Sequence, residues 1–218
     1  MIRKFFVSCV ILALIGFGIL YLVAKTGLVR VPVFTAMAYA LPTPERTVES
    51  GTAVEQEMEK QLVATLQSKL SAGTFTDADA TLVFSEGTLT TSLRSAIAQG
   101  AQEVFVQDSA QVVILQSGEV ELYLPFTGNE QNSALLLRVA PTAKDGGLAF
   151  DVTRVQVGQL FVPAWLQFAV QWPLDKLVSQ LNDFLDAYVS VQNVTLQEGS
   201  VTLDGTMTLD LKTLIKTE

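Results

Sequence analysis

The chain has 218 residues, with 14 Lys and Arg against 22 Asp and Glu, no histidine and a single cysteine, Cys9. Without histidine, Ser-His-Asp and Cys-His mechanisms and Cys/His zinc sites are excluded, and a net charge of −8 leaves no basic footprint for nucleic acid. One cysteine cannot form a disulfide within the chain, so stability has to come from burial.

Phe5–Ala24 runs twenty residues without a charge, after Arg3 and Lys4 and before Lys25. Coiled as a helix, such a run rises roughly 30 Å, the depth of a bilayer core. The sequence therefore predicts a transmembrane helix over 1–25 that acts as an uncleaved signal-anchor. Two other readings stay open: a signal peptide cleaved after Ala38-Tyr39-Ala40, and lipidation at Cys9. The short N-terminal tail favours a single pass of the cell membrane with the domain outside the cytoplasm. Beyond Arg3 and Lys4 there are 12 basic and all 22 acidic residues, a net charge of −10 that argues against electrostatic adsorption of the domain to anionic lipid.

Residues 26–45 read as a juxtamembrane linker, mostly apolar to Leu41 and then punctuated by Pro42 and Pro44. An extracytoplasmic α+β domain follows over 46–218. Val54, Met58, Leu62, Leu66 and Leu70 recur every four residues, an amphipathic helix stopped near Gly73. Ala80–Phe84 reads as a strand, and Ser85 as the cap of a helix that carries Leu89, Leu93 and Ile97 and ends at Gly100.

From Val104 to Val157 the period becomes two. Val120, Leu122 and Leu124 alternate with Glu119, Glu121 and Tyr123, which read as the solvated face. Ser117-Gly118, Thr127–Asn129 and Asp145–Gly147 are turn signals at hairpin spacing. A long helix is expected after Pro163, with Leu166, Val170, Leu174, Leu177, Val178, Leu181, Leu185 and Tyr188 on one stripe. A last hairpin turns at Glu198-Gly199, and the change of phase between Val191 and Val194 points to a bulge.

Val155–Leu174 carries no charge and holds Phe161, Trp165, Phe168 and Trp172. It reads as a buried core helix, as one wall of an apolar groove for an acyl chain, or as an element dipping into a membrane interface. Asp77-Ala78-Asp79 is an incomplete calcium loop, better explained as a solvated turn. Asp175, Asp183 and Asp186 could pair as glycosidase acids but fall on a polar helix face. No nucleophile elbow, P-loop or dinucleotide fingerprint is present, and the sequon Asn193-Val194-Thr195 lies on a strand.

The order Ser85-Glu86-Gly87-Thr88-Leu89, then the meander, then Gly158…Pro163, a helix and the hairpin Asn193–Asp204, resembles the YpmS-like group of membrane-anchored bacterial proteins of unknown function. More loosely it is similar to the tubular lipid-binding domains related to bactericidal/permeability-increasing protein. The resemblance implies a curved antiparallel sheet around a long C-terminal helix, with an apolar cleft between them.

These readings converge on a non-catalytic, membrane-tethered module of the cell envelope that binds a lipid or lipid-linked envelope intermediate, with no cofactor or metal. Phe161, Trp165, Phe168, Val170 and Trp172 are the candidate lipid contacts, with Leu89, Leu93 and Leu122 opposite. The alternative is a structural or assembly module that contacts other envelope proteins.

Overall fold

A computed structural model of the chain describes residues 2–72, 78–166, 178–179, 182–183, 185–186 and 188–207, with side chains for all of these except 2–10, 69–70, 72, 78 and 166. Four helices and eight strands are named here: α1 (Ile2–Thr26), α2 (Phe34–Ala38), α3 (Val54–Ala72), β1 (Ala78–Ser85), α4 (Glu86–Gly100), β2 (Gln111–Ile114), β3 (Val120–Pro125), β4 (Ala134–Lys144), β5 (Gly147–Val157), β6 (Leu160–Phe161), β7 (Val189–Gln197) and β8 (Ser200–Met207).

The alternating segments build two antiparallel sheets rather than the single curved sheet expected. One has the order β1-β8-β7 and the other β2-β3-β4-β5-β6. In the first, β1 pairs with the last strand along its whole length, from Ala78 opposite Met207 to Ser85 opposite Ser200. The second is a meander whose first three hairpins turn at the signals in the sequence; β4 pairs with β5 from Leu135–Val157 to Lys144–Gly147, with a shift of register between Arg138 and Val139. The shift of register between Val191 and Asn193 is the expected bulge.

Inner faces of both sheets meet in one core, where Leu82, Ile114, Val139, Val155, Val189 and Leu203 pack with Met58 and Leu62 of α3. At about 25 cal/mol per Å² of apolar surface, this shared burial is the main force holding the sheets together. Ser85 caps α4 as its spacing predicts, its hydroxyl accepting from the Thr88 N–H at 3.1 Å.

The other face of the meander is covered as well. Residues 39–50 cross it as a strap, and Glu121, expected at a solvated face, is fully buried beneath it. Its carboxylate accepts from the Glu45 N–H at 3.0 Å and pairs with Arg138 Nη2 at 2.8 Å. Arg46 pairs with Glu86 and also donates to the Ile114 carbonyl at 3.0 Å, tying the strap to α4 and β2. Strand alternation reports which residues share a face; it carries no trace of a second cover.

Two further expectations are corrected. α1 spans the apolar run, but among the described residues no helix is long and apolar enough to cross a membrane. The last turn of α1 is instead fastened to the domain: the Ser133 hydroxyl donates to the Thr26 carbonyl, and the Gln159 N–H donates to the Lys25 carbonyl at 2.8 Å. Gly158, at φ 57°, lies against the Thr26 and Lys25 carbonyls, where a side chain would collide with the helix end. The transmembrane and signal-anchor assignments are withdrawn on these grounds.

The long C-terminal helix is likewise not found among the described residues. Pro163 is followed by a 3₁₀ turn, Ala164–Leu166, and the next described residues, 178–179, 182–183 and 185–186, are helical. Pro173, which lacks the N–H that a continuous helix needs, falls between these parts and lies outside the described residues.

Candidate functional site

The two sheets do not close completely on one another. Between them lies a cavity of about 340 Å³, walled by Phe84, Val201 and Leu203 of the first sheet and by Val120, Leu122, Val139 and Leu148 of the second. Leu89 and Leu93 of α4 form its roof, Val54 and Glu55 at the start of α3 stand at one end, and Val178 and Leu185 close another side. Among the described lining residues, Glu55 and Ser92 alone bear polar side chains. Ser92 is already engaged, because its hydroxyl accepts from the Val54 N–H at 3.0 Å and so joins α3 to α4. A largely apolar space of this size sits at the lower end of the roughly 300–1,000 Å³ range of small-molecule sites.

Of the candidate lipid contacts, the structure brings Leu89, Leu93 and Leu122 together on this cavity. Phe161 and Trp165 are exposed at the surface and are not among its described lining residues. Phe168, Val170 and Trp172 lie outside the described residues. The aromatic-rich segment attracts attention by composition, whereas the cavity is built from ordinary alternating positions. Phe84, Leu203 and Val194 stand on the apolar faces of strands, and that alternation is the sequence signal that marks them. Leu185 belonged to the expected helix stripe and is almost fully buried here.

A second cavity, of about 210 Å³, lies under the strap and is polar. Glu45, Glu121, Arg138 and Arg154 line it with Gln156 and Gln159. Its two carboxylates offset its two guanidinium groups, and Glu121 is committed to holding Arg138 and the strap backbone. Beside it, Tyr39 and Tyr123 anchor the strap, donating to the Gln131 carbonyl at 3.1 Å and the Pro42 carbonyl at 3.2 Å. Burial pushes both phenol pKa values up, in Tyr123 with a further push from Tyr39.

The carboxylates considered for catalysis do not assemble. Asp183 and Asp186 are exposed, and Asp175 lies outside the described residues. Among the described residues no group of three or more Cys, Asp or Glu side chains could hold a metal ion. Asp79 is exposed on β1 and Asp77 lies outside the described residues.

No family model, no curated protein and no solved structure matches the chain.

Proposed function

We propose that the domain is a non-catalytic lipid-binding module that takes one acyl or prenyl chain into the cavity between its two sheets. The observation that carries this reading is the cavity of about 340 Å³ whose described lining is apolar apart from Glu55 and Ser92. At about 30 Å³ per methylene, close to the volume share of a liquid water, it accommodates a chain of roughly ten carbons. Each buried methylene gains about 0.8 kcal/mol, ample to offset the ordering of one flexible chain. An empty apolar space of that volume in a natural core otherwise costs stability, since voids deprive their walls of contacts.

A fluorescent long-chain fatty alcohol titrated into the full chain tests this reading. Binding is expected to be saturable, and Leu93→Trp or Leu122→Trp, each filling the cavity, abolishes it while the far-ultraviolet spectrum is kept. Equal binding by the filled variants would overturn it.

A further inference from the structure

The net charge of the whole chain conceals an uneven distribution. The first acidic residue is Glu45, and the residues before it carry Arg3, Lys4, Lys25 and Arg30. That one-signed stretch also forms an extensive exposed apolar surface. After Thr26 the chain turns at Gly27 against the Tyr39 ring, so that 28–38 leaves the domain and returns to it. Between these points α2 lies back along α1, with the Phe34 ring 6.0 Å from that of Phe17. Phe17 stands nine residues before Thr26, which places α2 about 14 Å along α1 from the domain.

The outer side of this hairpin is apolar and open: Met37 is 81% exposed, Val33 70% and Val29 58%. It continues into the exposed flank of α1 at Leu14, Phe17 and Ile19. On the domain, β6 packs beside the end of α1, and there Phe161 is 53% and Trp165 73% exposed. Lys25 and Arg30 belong to this stretch, and Arg154 lies beside it with its guanidinium 4.3 Å over the Phe161 ring.

We propose that α2 and the adjoining flank of α1 form an apolar wedge seated in the outer part of an anionic lipid bilayer. Lys25 and Arg30 meet the phosphates, and Trp165 rests at headgroup depth. Apolar surface of this extent is not left to water by soluble domains. Basic residues flanking an apolar surface, with an exposed tryptophan beside it, are the chemistry of the lipid interface. The acidic remainder of the domain is repelled from the same headgroups, which orients the molecule with the wedge toward the bilayer. The wedge stands independently of the lipid proposed for the cavity, because none of its residues lines that space.

The test uses the full chain with Trp172→Phe, leaving Trp165 as its one tryptophan, moved from detergent onto vesicles of phosphatidylcholine alone or mixed equally with phosphatidylglycerol. Trp165 emission is expected to shift to the blue and to be quenched by lipids brominated near the headgroup. Lys25→Gln with Arg30→Gln is expected to lower the preference for the anionic vesicles by roughly thirty-fold. A polarity-sensitive dye at Met37→Cys, in a chain whose Cys9 is replaced by Ser, reads the wedge without touching Trp172. Water-like emission from Trp165 and the dye on both vesicles overturns the proposal, as does an unchanged preference in the charge variant. Burial of Trp165 by self-association in detergent alone also overturns it.

Discussion

Asn182 holds the edge of β5 at Leu148 with both polar atoms of its amide. Its Oδ1 accepts from the Leu148 N–H at 2.7 Å, and its Nδ2 donates to the Leu148 carbonyl at 2.8 Å. A side chain here takes the place of a neighbouring strand. Leu148 is a wall of the apolar cavity, and so is Leu185, three residues beyond Asn182. Gly147 leaves the room this requires, since a Cβ there would stand 2.8 Å from Asn182 Cγ.

Asn182→Ala removes both hydrogen bonds and strands the Leu148 peptide, a cost of about 1–3 kcal/mol and a fall of several degrees in Tm. Gly147→Ala destabilises in the same direction by pushing the amide away. The double variant is expected to cost less than the two together, because both act on one contact. Thermal unfolding of all four chains checks this, and simple additivity would show that the contact does not couple them.

Glu121 and Arg138 give a prediction about the strap. Glu121 is fully buried, so Glu121→Ala leaves the Arg138 cation beneath the strap without its main partner, at about 3–5 kcal/mol. Glu121→Leu combined with Arg138→Met removes both charges and recovers most of that loss. Denaturant midpoints measure both, and a double variant as unstable as Glu121→Ala would contradict the account.

Tyr39 and Tyr123 make stability depend on alkaline pH. Burial raises both phenol pKa values, so the folded chain holds these protons more tightly than the unfolded one. Their contribution is complete below the ordinary tyrosine value of about 10 and is lost as pH rises through the higher folded-state values. Tm followed upward from pH 9 should fall, and Tyr123→Phe should flatten that fall. An identical slope in the variant would rule out this origin.

Ser85 fixes the first turn of α4, which carries Leu89 and Leu93 to the cavity roof. Ser85→Ala is expected to cost about 1 kcal/mol and to weaken probe binding modestly. Ser85→Asp, which also accepts from the Thr88 N–H, restores both in equilibrium unfolding and titration.

Much of the local structure was legible because it follows from period and punctuation. The four-residue repeat from Val54 marks α3, Ser85 and Gly100 bound α4, and the changed phase after Val191 marks the bulge. The division into two sheets was not legible, since the pairing of β1 with β8 is a contact between distant parts of the chain. Nor was the strap, whose residues 39–50 have no periodicity and are held by single groups such as Glu121, Gln111 and Glu86. For the cavity, the four-residue repeat identified Leu89 and Leu93, and alternation identified Leu122, as inward-facing positions. Density of aromatic residues drew Phe161 and Trp165 into the same set, although these two stand at the surface.

Native mass spectrometry of the full chain, released from detergent after purification from its expression host, tests the central claim most directly. The account predicts a reproducible added mass matching a single lipid, present in the unaltered chain and absent from Leu93→Trp and Leu122→Trp. A clean mass for the unaltered chain, or an adduct that survives filling of the cavity, would contradict it.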